Sequence, residues 1–315
     1  MRNPFFDQLA DAQTILLVGA GGGYDLLTGL PLLHSLRKAG KQVHLANLTF
    51  SDLSHDQLER PIPALAKITA DSHASGTYSP ELHLARYLAD KSEASPIYLI
   101  DRTGVAPVIE AYRWLADTLK PDALILIDGG TDSLMRGDET GLGTPQEDLA
   151  SLAAAAALDD IKKRFLVCIG FGVDTFHGVS HGLVLENISA LIAKGGYLGA
   201  WSLLPETEEF VFYRDACDYV FNRMPRSPSI VNTSIIDATL GWFGDHHATS
   251  RTEGSNLFIN PLMSLYWAFH LETVTSRHLF LDKIKHTKTY AELTMAIESL
   301  HATQPKIRQW QDIPC

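Results

Sequence analysis

The stretch Thr14 to Val18 is apolar and β-favouring, runs directly into Gly19-Ala20-Gly21-Gly22-Gly23, and is followed by the helical pattern Leu26 to Lys38. A strand that gives way to small residues and then to a helix restricts the fold more than any other feature of this chain. In an open parallel sheet such a turn sits at the carboxyl edge. There glycine permits positive φ and close approach of backbone to ligand, and exposed N–H groups stabilise negative charge. An anionic small molecule is the expected ligand, with Gly19, Gly21, Gly22, Gly23 and Asp25 as its first contacts.

The same alternation continues. Strand patterns at Gln42 to Leu48, Ile97 to Ile100, Ala123 to Ile127, Phe165 to Gly170 and Tyr197 to Trp201 are interleaved with helical patterns at Pro80 to Asp90, Val105 to Leu119 and Leu183 to Ala193. Parallel neighbours need crossovers that bury both faces of the sheet. The expected fold is therefore α/β, a Rossmann-like doubly wound, mostly parallel sheet with helices on both faces. Residues 1–205 form that core. Residues 206–315 read as a mixed, largely helical cap on it, with helical candidates at Glu208 to Asn222, Pro261 to Leu271 and Tyr290 to His301.

The glycine turn does not name a cofactor. Tyr24 stands where the dinucleotide GxGxxG fingerprint has its last glycine, and no Gly-Lys-Ser or Gly-Lys-Thr follows to make a P-loop. The turn resembles the first motif of S-adenosylmethionine-dependent methyltransferases, as does Lys194-Gly195-Gly196-Tyr197-Leu198. The second strand, however, ends near Asn47 without an acidic residue to hold ribose hydroxyls. A purely structural use also stands: the glycines allow tight packing, and Asp25 caps the next helix.

A second segment, Asp128-Gly129-Gly130-Thr131-Asp132-Ser133-Leu134-Met135-Arg136-Gly137-Asp138-Glu139, follows a strand expected to be central. Asp128, Asp132 and Asp138 are candidate ligands for Mg²⁺ or another divalent cation, or for sugar hydroxyls, although the spacing matches no EF-hand. Gly129, Gly130 and Thr131 are candidate ligand contacts. Arg136 either clamps an anion or neutralises its acidic neighbours. Further on, Thr144 and Glu147 read as a capping box for an alanine-rich helix.

A third segment, Phe171-Gly172-Val173-Asp174-Thr175-Phe176-His177-Gly178-Val179-Ser180-His181-Gly182, again follows an apolar strand, so Asp174, His177 and His181 are expected at the same edge. On a helix, His177 and His181 share a face at i and i+4, which suits proton transfer; Gly178 and Gly182 weaken that assumption. There is no HExxH and no GxSxG. Ordinary hydrogen-bonded histidines are the plain alternative, and at most one of His246 and His247 is expected to reach the site.

The 315 residues carry a formal net charge of −11, which opposes general attraction to nucleic acid or an anionic membrane. Cys168, Cys217 and Cys315 are too widely spaced for a metal knuckle or a disulfide framework and read as reduced thiols. The start MRNPFFDQLADAQ lacks the pattern of a signal peptide and no segment reaches membrane-spanning length, so the cytoplasm is the expected location.

Together GAGGGYD, DGGTDSLMRGDE and GVDTFHGVSHG resemble a prokaryotic family of domains of unknown function, over most of the chain. The resemblance implies fold and site placement and supplies no reaction. The residues themselves suggest a metal-assisted hydrolase acting on an anionic or hydroxyl-rich small metabolite, nucleotide- or sugar-derived, with Asp132, His177 and His181 as its catalytic candidates. The alternatives are an S-adenosylmethionine-dependent methyltransferase and a noncatalytic ligand sensor.

Overall fold

The computed structural model describes residues 3–53, 57–74 and 76–313. The chain opens with a short helix, α1 (Pro4–Leu9), whose first turn is capped by the Asn3 side chain accepting from Phe5 N. β1 (Thr14–Gly19) follows, then α2 (Asp25–Thr28) and α3 (Leu30–Lys38). The sequence pattern suggested one helix from Leu26 to Lys38. It breaks at Gly29 because Pro31 has no N–H for a helical bond to Leu27 and its ring crowds that carbonyl.

β2 (Gln42–Thr49) leads to β3 (Glu59–Ile62) and β4 (Leu65–Ile68), an antiparallel pair in a polar stretch whose short strands have no clear period in the sequence. Next come α4 (Pro80–Asp90), β5 (Ile97–Asp101), α5 (Val105–Leu119) and β6 (Ala123–Asp128). A 3₁₀ turn (Asp132–Leu134) precedes α6 (Pro145–Ala156) and β7 (Lys163–Cys168). Another (Val173–His177) precedes α7 (His181–Ala193) and β8 (Tyr197–Ser202).

The remainder holds α8 (Glu208–Arg223), α9 (Ile230–Thr239), a 3₁₀ turn (Pro261–Ser264), β9 (Leu265–His270), α10 (Leu271–Thr275), α11 (Leu281–Ile284) and α12 (Tyr290–Ala302). The helical expectation for Pro261 to Leu271 is corrected by β9. Tyr266 and Ala268 pack into one core and Trp267 and Phe269 into the other, the period of two that a strand imposes and a helix cannot.

Among the described residues the nine strands form one sheet in the order β3-β4-β5-β2-β1-β6-β7-β9-β8. The central five, from β5 to β7, are parallel, and β4 and β9 run against their neighbours. This is the mostly parallel Rossmann-like α/β fold that the alternation implied.

β1 lies at the centre and is buried on both sides: Ile15 and Leu17 enter one core, Leu16 and Val18 the other. The first face is covered through Leu9 of α1, Leu33 of α3, Leu88 of α4 and Phe210 of α8. The second is covered through Tyr112 of α5, Leu152 of α6, Val184 of α7 and Ile297 of α12. Residues after 205 thus supply helices to both faces and, through β9, a strand to the sheet itself. A third, smaller apolar cluster, including Val173, Ile230, Ile259 and Met263, joins α9 to the loop after β7.

Cys168 and Cys217 are buried free thiols; Cys315 lies outside the described residues. No described helix is long and apolar enough to cross a membrane.

Candidate functional site

Strand order sets the place of the site. From β1 the chain crosses to β2 on one side, while β6 lies on the other, so the loops leaving β1 and β6 diverge and open a crevice beyond their carboxyl ends. The last tie between them is Ala20 N donating to Ile127 O at 2.8 Å. Beyond it, Gly21 N donates to Asp25 Oδ2 at 2.6 Å. A Cβ on Gly21 would lie 2.8 Å from a carboxylate oxygen of both Asp25 and Asp148, so only glycine lets these two acids close on the turn. Gly22 and Gly23 follow with φ of 86° and 58°. The N–H groups of Gly22, Gly23 and Tyr24 find no protein acceptor among the described residues.

Four further carboxylates converge beneath and beside this turn. Asp128 ends β6 and accepts from the Ser133 hydroxyl and, at 3.3 Å, from Ser133 N. Asp132 opens the following 3₁₀ turn and accepts from Thr144 N at 2.8 Å and Thr144 Oγ1 at 3.0 Å. Asp174 comes from the loop after β7 and accepts from Thr131 N at 2.6 Å. Asp148 lies in the first turn of α6, which is drawn against the β1 turn by Ser151 Oγ donating to Ala20 O at 2.7 Å. It is buried, and neither of its carboxylate oxygens has a hydrogen-bond partner.

Oxygen atoms of Asp25, Asp128 and Asp148 all lie within 4.8 Å of one another. Among the described residues no Lys, Arg or His comes within ion-pair distance of any of these five acids. Burial, then mutual repulsion, raises Asp25, Asp148 and Asp174 well above the usual carboxylate range; Asp128 is pushed up to about 7 by burial and by Asp132. Near neutral pH such a cluster holds protons or a cation, since an unpaired buried charge costs several kcal/mol, of order the whole stability margin of a domain.

Four of these acids border a cavity of about 520 Å³. Asp25, Asp128, Asp132 and Asp174 line it together with the glycine turn, and Arg226 and Arg251 line it from the segments flanking α9. Arg251 is steadied by Nη1 donating to Pro228 O at 2.7 Å, and Arg226 makes no ion pair among the described residues. Tyr24 fixes the same segment by donating to Ser227 O at 2.5 Å and meets Tyr78 edge-on at 5.4 Å. Exposed His177 reaches the rim.

Of the residues singled out in the sequence, Gly21, Gly22, Gly23, Asp25, Asp128, Gly129, Asp132, Asp174 and His177 are brought together around the cavity. Gly19 lies behind it, against Asn47, and Gly130 and Thr131 support Asp174. Asp138 and Arg136 stand elsewhere: they pair with each other at 3.0 Å, and Asp138 also takes Arg308 at 2.7 Å. His181 is separated from His177. Gly178, at φ 82°, ends the 3₁₀ turn, Ser180 caps α7, and His181 then packs edge-on against Trp310. His246 pairs with Asp237 at 3.1 Å and stacks on Trp242, and His247 bonds Asp245 and Thr252; neither lines the cavity. The Thr144 capping box does not form, because the Thr144 hydroxyl is spent on Asp132 and Glu147 accepts from Tyr290.

Asp148, Arg226 and Arg251 were not singled out from the sequence. Asp148 reads there as an ordinary acidic residue in a helix first turn. The two arginines fall in irregular sequence with no period to place them.

The chain belongs to the family described as "Protein of unknown function (DUF1152)", whose model matches residues 16–304. No curated protein and no solved structure matches it.

Proposed function

We propose that this DUF1152 protein is a hydrolase acting on an anionic, nucleotide- or sugar-derived small metabolite with the help of a divalent cation held by Asp25, Asp128 and Asp148. The observation that carries this reading is Asp148, a buried carboxylate with both oxygens unpartnered, beside two other acids within 4.8 Å and without a cationic side chain among the described residues. An oxygen-only donor set suits Mg²⁺ or Mn²⁺.

When bound, the cation would supply Lewis acidity and lower the pKa of a coordinated water. The chain's own residues do the rest. Asp132 and Asp174, each held by backbone N–H donors, fix the polar floor of the cavity. His177 at its rim moves the proton. The proposed location is the cytoplasm, in keeping with the two buried free thiols.

A panel of phosphate esters and glycosides assayed with Mg²⁺ or Mn²⁺, and again with chelator, tests the reading. Turnover that disappears with chelator and in Asp148→Asn is expected. Turnover indifferent to chelator, or none with any substrate, would overturn it.

Methyl transfer is the second reading. It draws on the glycine turn and on the sheet order, in which an antiparallel last strand lies between β7 and β8 as in Rossmann-type methyltransferases, a fold-level analogy only. Against it, Asn47, two residues before the end of β2, donates to Glu81 and to Gly23 O, so this position offers no carboxylate to a ribose. Calorimetry with S-adenosylmethionine decides: micromolar binding would favour this reading and silence would remove it.

A further inference from the structure

The cavity is lined by groups of opposite charge. Asp25, Asp128, Asp132 and Asp174 border it, and so do Arg226 and Arg251, together with Gly22, Gly23 and Tyr24, whose N–H groups find no protein acceptor among the described residues. Resting on the cation reading above, we propose that the cavity takes a phosphate monoester, its phosphate seated between the cation-bearing acids and the two arginines and flanked by those amides.

The donor count argues for phosphate over carboxylate. Two guanidinium groups, three backbone N–H groups and a cation match the three non-bridging oxygens of a dianion, whereas a carboxylate presents two oxygens and one charge. The acids argue for a coupled event. Without a cation the cluster meets an incoming dianion with protonated acids or repelling carboxylates and no positive charge; with one, the charge is offset and the two arginines become the stronger influence. Cation and phosphate therefore bind with positive and reciprocal coupling.

The reaction that follows is balanced without any redox partner. Water adds to phosphorus through its oxygen, and the ester P–O bond breaks. The departing alkoxide takes up the proton that water loses, relayed by His177, leaving an alcohol and inorganic phosphate.

The test is calorimetry on the full chain with MgCl₂ alone, inorganic phosphate alone, and phosphate in the presence of saturating Mg²⁺. Phosphate affinity is expected to tighten about tenfold or more with Mg²⁺, and Mg²⁺ affinity to tighten by the same factor with phosphate. The variant Arg226→Gln/Arg251→Gln is expected to bind Mg²⁺ as before and to lose that tightening. Thermal melting and circular dichroism check that it folds, and Arg226→Gln alone, which removes no hydrogen bond or ion pair among the described residues, provides the same reading at smaller amplitude. Equal phosphate affinity with and without Mg²⁺, or full coupling in the double variant, would overturn the phosphate assignment while leaving the cation site standing. Absence of Mg²⁺ binding in the native chain would remove both.

Discussion

Asp138, Glu139 and Glu186 share the guanidinium of Arg308, at 2.7, 2.5 and 3.0 Å, whereas Asp25, Asp128 and Asp148, within 4.8 Å of one another, have no cationic partner among the described residues. Both groups draw on the same loop, one from its first residue and the other from its middle. Glu139 is fully buried, yet it is satisfied: Arg136 N, Gly137 N and Asn187 Nδ2 also donate to it. Arg308 adds backbone ties, donating from N to Asp138 O and accepting from Thr140 N, so the segment after α12 is strapped to the loop. The contrast shows what a structural acidic cluster looks like in this protein, and that the second one has no counter-charge from a side chain among the described residues. The paired cluster holds the loop in shape. The unpaired one is where the proposed cation would bind.

The largest expected effect belongs to the paired side. Arg308→Met strands Glu139 and should cost about 3 kcal/mol of stability in urea unfolding; a loss under about 1 kcal/mol would show that the strap is not what sets the two clusters apart. On the unpaired side, His177→Gln should lower turnover about a hundredfold with little change in melting temperature, since the side chain is exposed. Unaltered turnover would remove His177 from the proton path.

A smaller effect should appear in the metal-free protein as pH changes. Asp128 sits at about 7 in the folded chain, against about 3.9 for an unfolded aspartate, and its buried neighbours are raised in the same sense. The folded state therefore binds more protons than the unfolded one between about pH 4 and 7. From this group the folded state gains full stability below about pH 4, and that contribution is lost as the pH rises through about 7. Saturating Mg²⁺ should flatten the fall, because the cation takes the protons' place. A metal-free protein whose stability rises over this interval would contradict the picture of uncompensated acids.

Much of this was legible in the sequence, for identifiable reasons. The apolar runs of β1, β6 and β7 and the glycines after β1 follow from burial and backbone freedom, so the crevice and most of its rim could be placed. The break at Gly29 and the strand β9 were obscured by local pattern, the first by an otherwise continuous helical period and the second by an aromatic run too short to separate strand from helix. Asp138 and Asp148 show the deeper limit. Both are acids near glycines, the first in a loop and the second in a helix first turn, and only tertiary contacts decide that Arg308, 170 residues away, neutralises the first while no described residue neutralises the second. The spacing of His177 and His181 suggested one helical face, but the positive φ of Gly178 separates them.

The proposed cation site rests on carboxylates with no counter-charge among the described residues, and Asp148 tests it most directly. Titration of metal-free protein with Mg²⁺ at pH 7 should give one site per chain with release of protons, and Asp148→Asn should weaken it at least tenfold while leaving the fold as stable or more so. No binding by the native chain, or equal affinity in the variant, would contradict the account.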